Sequence, residues 1–477
     1  MTHGWMVCIA VACLMAACGT DQEPAPDFGA SADWPSFGHD LYNTRSNTLE
    51  TQIGPDTVGN LRPRWEFVGV ETTGTPAVVD GVVYFADWDG VVYARNAADG
   101  SEVWTTESIE ESITASVLVT DALLFVGDAS GAFHALDRAT GRVVWSKPLD
   151  DHPERDILSS AIAIDDILVV GVASSELVLM KDDYTFRGSV VALSQDDGSE
   201  RWRFYTTNDD AESGAGVSVW SSAAVDTERK LLFVGTGQAY ERPAGPLSDS
   251  LLAIDYEEGA LRWSRQFTEG DVYTALAPPP QGADADIGAA PNLFSIGNRD
   301  VVGVGDKAGV YAVFDRDDGQ EIWVTELGPG SHLGGVMTAA AYHDGRIYVA
   351  NNIWPSFFDP EDFFVPVFED PENTSELLAL DATDGSVLWR MPALSPTLGG
   401  ISYANGIVYT ADSLARLRAH DARNGAVLWS DRVSERMASG QVVSNGLLFV
   451  THGFTFFGTS RPDLPGYVGG LRVYGLP

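Results

Sequence analysis

The chain has 477 residues, 44% of them hydrophobic, with 49 Gly and 24 Pro, a composition that excludes a disordered protein and supports a sizeable core. Its 68 acidic residues oppose 29 basic ones for a formal charge of -39, which removes the phosphate attraction that nucleic-acid binding depends on and sets anionic lipid faces against it. All three cysteines, Cys8, Cys13 and Cys18, lie within the first 18 residues, so disulfides, Cys-based zinc sites and C-x-x-C-H haem attachment are excluded from the rest of the chain.

In chain order, residues 1–17 carry no Asp, Glu, Lys or Arg, and Trp5 to Ala17 form an apolar run too short to span a bilayer but suited to a signal peptide. The run ends Leu14-Met15-Ala16-Ala17-Cys18, which resembles a bacterial lipobox with Cys18 as the lipidated first residue of the mature protein. Residues 18–33, rich in Ala, Pro, Asp and Glu, read as a flexible tether. Gly19 after Cys18 lacks the Asp that retains lipoproteins at the inner membrane, so the expected location is the periplasmic face of the outer membrane. A soluble periplasmic or secreted protein is the alternative.

From residue 34 a phrase repeats. Residues 78–104 read VVDGVVYFADWDGVVYARNAADGSEVW, and further copies end at Trp145, Trp202, Trp263, Trp323, Trp389 and Trp429. In each, β-branched runs of four to six residues are separated by Asp-Gly, Thr-Gly, Glu-Gly or Asn-Gly, which supply the positive φ of tight hairpin turns. A meander of four short strands cannot bury both faces alone, so the units stack in a ring. Trp65, in RPRWEF, has no preceding copy, while the last unit, GLLFV and GGLRVYG, lacks a Trp strand. The pattern predicts an all-β, eight-bladed β-propeller over residues 34–477, closed by the N-terminal strand, with no second domain.

With strands A to D numbered outward from the axis, B–C turns and D–A connections share one face. The insertions 173–187, 238–249, 351–375 and 453–468 fall between B and C, and 268–294 lies in a D–A connection. Irregular loops on a rigid scaffold carry function, so this face is the expected site. Glu176, Gln238 and Asp286, the last beside Asp284, are oxygen donors on three blades, the hard-ligand set a cation such as calcium takes. Trp220, in SVWSSAAVD, is out of register with the blade-closing Trp residues and offers a stacking surface. Lys307, one of four lysines, lies in the B–C turn GDKAG. The eight histidines are scattered, and no G-x-S-x-G, H-E-x-x-H or phosphate-binding Gly loop is present.

The opening DWPSFGHDLYNTRSN, then VGNLRPRWEF, FRGSVVAL, VWSSAAVD, GTGQ, GAAPNLF and DKAGVYAVFD, resemble the quinoprotein alcohol dehydrogenases that bind pyrroloquinoline quinone (PQQ), and within them the polyvinyl alcohol dehydrogenase branch. The resemblance implies a PQQ- and calcium-dependent oxidoreductase of small or polymeric alcohols, a monomer passing electrons to an external cytochrome or quinone. It implies Glu176, Gln238 and Asp286 as calcium ligands and Asp286 as the base toward the alcohol. Trp220 would lie under the quinone, with Ser218 near its polar edge and Lys307 on its oxygens. The chain departs from the pattern in having Gln for Asn at 238, no cysteine pair after Cys18, and no Arg matched to a PQQ carboxylate. A non-catalytic propeller lipoprotein, similar to the outer-membrane assembly lipoprotein with the same repeats, is the alternative reading.

Overall fold

Eight sheets follow one another along the chain, each with four antiparallel strands in order A-B-C-D; two carry a fifth strand, Ser46–Asn47 parallel to Ser402–Ala404 and Arg155–Asp156 antiparallel to Ile167–Ser174. The computed structural model describes Met1 and residues 32–477 apart from 110, 182, 209–213, 276–280, 356–369 and 455–468, with the side chains of 392–394 also left aside. The signal peptide, Cys18 and most of the tether lie outside the described residues, as do the middles of the 351–375 and 453–468 insertions. Residues 31–477 form one compact unit, and no described helix is long and apolar enough to cross a membrane.

Blade 1 comprises Ala77–Val79, Val82–Ala86, Val92–Asn96 and Glu102–Thr105. Blades 2 and 3 span 118–148 and 162–205. Blade 4 comprises Ala224–Asp226, Leu231–Gly235, Ser250–Asp255 and Leu261–Gln266, and blade 5 comprises Asn292–Ile296, Arg299–Gly305, Val310–Asp315 and Glu321–Glu326. Blades 6 and 7 span 341–394 and 402–432. Blade 8 takes Val442–Ser444, Leu447–His452 and Gly470–Gly475 from the far end of the sequence, and its D strand is Arg62–Val68. Arg62 pairs with Gly475 and Val68 with Gly470, so the expected closure by the N-terminal strand is present.

The repeat's two signatures act on each other across blade boundaries. The indole N–H of Trp202 donates to the Tyr256 carbonyl of the next blade at 2.8 Å. Its ring also lies against Gly259, where a Cβ would come within 2.7 Å of the indole and φ is +71°. Only glycine satisfies both demands without strain. Trp65, Trp104, Trp145, Trp263, Trp323 and Trp389 make the same bond to the blade that follows each. At the ring closure Trp429 instead meets Tyr474 edge-on at 5.1 Å, because blade 8 has no C–D turn. Gly259→Ala is expected to lower stability by about 2–3 kcal/mol through lost stacking and a strained φ; an unchanged urea midpoint would show that this latch contributes nothing.

Between the latches, adjacent sheets bury apolar faces against each other, as where Phe233, Leu251 and Trp263 of blade 4 meet Leu293, Val302 and Tyr311 of blade 5. Each such side chain contributes about 1.5–3 kcal/mol of transfer free energy. The inner ends of the blades are chained by hydroxyls at the start of the A strands. Thr75 N–H donates to Ser116 Oγ, Ser116 N–H to Ser160 Oγ, and Ser160 N–H to Ser222 Oγ.

Residues 34–47 form a belt inside the ring. Backbone bonds tie Trp34 to Val78, Pro35 to Val119, Leu41 to Val225, Tyr42 to Leu293, Thr44 to Tyr342 and Arg45 to Tyr403, and Asn47 donates to Val443 O at 2.8 Å. The belt thereby touches the A strands of seven blades. It lies at the A–B turn end, where Asp80 N–H donates to Asp33 and Gly446 N–H to Glu50. Arg45 is fully buried within it, donating to the carbonyls of Phe37 and Ile401 and to Ser402 Oγ, and burial lowers its pKa to about 9.

Candidate active site

Strand order puts the described ends of all five insertions on the face opposite the belt, as turn parity predicts. On that face the B–C turn of blade 5 presents Lys307, the 268–291 connection carries Asp271, Asp284 and Asp286, and the blade 4 insertion carries Gln238 and Asp249. Lys307 Nζ lies 2.8 Å from Asp286 Oδ2 and 3.1 Å from Asp284 Oδ2. It also stands 5.4 Å from the centroid of the Trp220 ring. Asp286 Oδ1 accepts the backbone N–H of Gln238 at 2.8 Å, and the Lys307 N–H donates to the Asp286 carbonyl. Asp271 holds the turn in place by accepting the N–H groups of Asp284 and Ala285.

The charges in this cluster do not balance. Asp249, Asp271, Asp284 and Asp286 are all buried, and Lys307 is the cation among them. Burial works against the Lys307 ammonium, yet Asp284 and Asp286 outweigh it and its pKa is raised. Burial pushes Asp284 up to about 8 despite the lysine. It pushes Asp249 up to about 10, aided by repulsion from Asp286, Asp271 and Asp284. Both oxygens of Asp249 and Oδ1 of Asp284 have no hydrogen-bond partner. Buried carboxylate oxygens left this way draw either a proton or a cation.

Trp220 packs against Gly288, where a Cβ would come within 1.7 Å of the indole. With Thr75, Ser116, Ser160, Ser222 and Thr338 it lines an axial cavity of about 190 Å³. Ser218 Oγ lies 2.7 Å from the Tyr240 hydroxyl, and Gln238 Nε2 donates to the Tyr273 carbonyl at 3.2 Å. Asp286, Gln238 and Lys307 are thus brought together beside Trp220, with Ser218 bonded to Gly237 N–H through its carbonyl.

Glu176 is held differently. It opens the 3₁₀ turn Ser175–Val178 in the blade 3 insertion and is fully buried. Its carboxylate accepts Lys181 Nζ at 2.9 Å and the N–H groups of Phe186 at 2.9 Å and Thr185 at 3.3 Å. The turn is fastened to the 268–291 connection by the bond from Ala275 N–H to Leu177 O, and the Tyr240 hydroxyl feels both Glu176 and Asp286. Among the described residues no group of three or more His, Cys, Asp or Glu side chains is arranged to hold a metal ion. Sequence reasoning missed Asp249, Asp271, Tyr240 and Lys181. Asp249 ends the 238–249 insertion in SDS, and an acid at the point where an insertion re-enters a buried strand was the available signal.

The oxygen donors around Lys307, with their excess negative charge and orphaned oxygens, are of the type a hard cation takes, although they are not gathered into a ligand group. Trp220, half-buried and beside the lysine, fits a planar anionic group.

The class follows from the repeats: the chain belongs to the PQQ-repeat propeller family. The family model described as outer membrane protein assembly factor BamB matches residues 57–184, 88–293, 186–352 and 306–470. Within that class the chain is a distant relative of the PQQ-dependent alcohol and polyvinylalcohol dehydrogenases. It is 26% identical over 402 residues to a polyvinylalcohol dehydrogenase of Pseudomonas sp, covering 78% of this chain and 61% of that protein. A second polyvinylalcohol dehydrogenase, from Sphingopyxis sp. (strain 113P3), is 26% identical over 362 residues, 68% of this chain and 55% of that protein. The chain therefore spans less than two thirds of the length of these relatives. The solved structure of quinohemoprotein alcohol dehydrogenase ADHIIG from Pseudomonas putida HK5 matches with a TM-score of 0.78 at 20% identity, over 93% of this chain and 80% of that one. That likeness establishes the fold.

Proposed function

We propose that this protein oxidises alcohol groups, of small or polymeric alcohols, with PQQ and a calcium-like cation bound on the elaborated face and an external cytochrome or quinone as electron acceptor. The observation that carries the reading is the buried cluster of four carboxyls and one lysine, with three unpartnered oxygens, beside a half-buried indole. When bound, PQQ supplies a two-electron acceptor and the cation a Lewis acid. Trp220 would stack on the quinone, Ser218 and Lys307 would hydrogen-bond its polar edge, and Asp286, Gln238 and Glu176 would contribute oxygen ligands. Glu176 would have to release Lys181 to do so. The alcohol hydroxyl proton would go to a carboxylate, with Asp286 as the base. Asp284 is a second acceptor in this scheme, because its Oδ1 is open, but with its pKa raised to about 8 it can take the proton only under alkaline conditions where it is ionised. By the same reading Cys18 is the lipid anchor, the protein faces the periplasm from the outer membrane, and it acts as a monomer.

Reconstitution tests this: purified protein is given PQQ and Ca²⁺, and dye reduction is followed with primary, secondary and polymeric alcohols. Asp286→Asn and Asp284→Asn are each expected to lower turnover by about 10²-fold or more. If only Asp284→Asn does so, the base is Asp284. Absence of both dye reduction and a cofactor-dependent absorbance change would overturn the enzyme reading. The second reading, a binding or assembly scaffold, is favoured by one observation, the Glu176 carboxylate already satisfied by Lys181 and two backbone N–H groups.

A further inference from the structure

Four blades close the B–C connection with the same short turn, opened by Asp87, Asp128, Asp306 and Asp412. In each, one carboxylate oxygen accepts the N–H four residues on, from Val91, Ala132, Val310 and Arg416. The other oxygen takes the side chain six residues on. In blade 1 this is the Tyr93 hydroxyl at 2.7 Å, in blade 2 His134 Nε2 at 2.8 Å, and in blade 7 the Arg418 guanidinium at 2.7 Å. In blade 5 the sixth residue is Ala312, which has nothing to offer.

Where the missing side chain would sit there is a recess of about 410 Å³ between blades 4 and 5. Asp306 lies in its wall, 1% exposed. Val310, Ala312, Phe267 and Phe314 form apolar sides, the two rings 5.6 Å apart, and the exposed Glu321 also borders it. Arg265 borders the recess too, but its guanidinium donates to the carbonyls of Ser264, Asp318 and Gly319 rather than to Asp306. A buried carboxylate in an apolar-walled recess is complementary to a cation that can hydrogen-bond it; the sister blades fill the position with a phenol, an imidazole and a guanidinium, and of these the guanidinium supplies the permanent charge.

We propose that the recess between blades 4 and 5 binds a small molecule bearing a planar cation, a guanidinium or imidazolium, on a short apolar stem, with the cation paired to Asp306. The site is separate from the axial cluster and stands whether or not the protein is a dehydrogenase. Burial raises the Asp306 pKa to about 7, and a cation bound there would favour its ionised form. The occupant would also buttress the turn that presents Lys307, because Asp306 O accepts the Val336 N–H and Lys307 is its neighbour.

The test is calorimetric titration of the full chain with butylguanidinium, repeated with Ala312→Arg, which supplies the guanidinium that blade 7 has at this position, and with Asp306→Asn. Saturable one-to-one binding to the parent is expected, weakened at least about tenfold in both variants, with a raised melting temperature for Ala312→Arg alone. If Ala312→Arg does not fold, Ala312→Val occupies the space without the charge and is expected to weaken binding likewise. Non-saturable heats in the parent, or equal binding in parent and variants, would overturn the proposal. Equal affinity for butylammonium would overturn the preference for a planar cation.

Discussion

Lys307→Met is expected to destabilise the propeller by about 3–5 kcal/mol at about pH 8, because it leaves a buried acid cluster without its one internal counter-charge. The side chain is close in volume, so the loss reports charge rather than a cavity. Its pH dependence is the diagnostic part. Asp284 already has a folded-state pKa raised to about 8, against roughly 4 in an unfolded chain. Between those values the folded protein binds the extra proton, so its stability contribution is full in acid and lost as pH rises. Without the lysine the carboxyls hold protons still more tightly, and the window widens upward. Urea midpoints of parent and variant should therefore converge at about pH 5 and separate at about pH 8. A deficit that does not change with pH would mean that the cluster is solvated and that the ammonium acts through packing alone. Added Ca²⁺ is expected to recover part of the alkaline deficit, since a cation held by the same oxygens replaces the missing charge.

Deleting residues 1–68 is expected to abolish the soluble monomer. The deletion strips blade 8 of its outer strand and leaves Gly470–Gly475 as an unpaired edge, an open template for aggregation. It also removes the Trp65 bond to Ala97 that joins blade 8 to blade 1, and the whole inner belt. The graded version is Trp65→Ala, which keeps the strand and loses the latch. Because Trp65 is only half-buried, about 2–3 kcal/mol is expected, at the lower end for a large aromatic. Gel filtration with light scattering separates the cases: aggregate or insoluble protein for the deletion, a monomer with a lowered melting temperature for Trp65→Ala. A monomeric 69–477 fragment melting like the parent would refute the closure argument.

The ring was legible because its code is local and repeated. A glycine at positive φ and an indole one strand later recur at a period that only stacking explains, and the structure puts each such glycine under the indole of the blade before it. Turn parity needed nothing more than counting strands, and it put the insertions on one face. Asp286, Gln238, Lys307 and Trp220 could be placed near one another from the sequence because each lies two to six residues from a strand end on the face that turn parity picks. Glu176 was legible only in position. Its side chain turns to Lys181, five residues on, and nothing in the pattern of an irregular insertion sets that direction. Asp249 and Asp271 look like ordinary polar residues in sequence, and their burial depends on how two long connections fold over one another. The belt had no periodicity to read, since it follows the circumference of the ring and not a strand.

Pairing residues 62–68 with 470–475 places partners 412 positions apart in contact, as Arg64 with the Leu476 carbonyl. Such separations slow folding, because loop closure must precede the contacts that reward it. While the ribosome is still at blade 6 or 7, the belt already has the A strands of the earlier blades to bind, but strand Arg62–Val68 still lacks its partner Gly470–Gly475. Ring closure is therefore the last step open to the polypeptide, and a chain that stops before residue 470 keeps Arg62–Val68 and Leu447–His452 as bare margins.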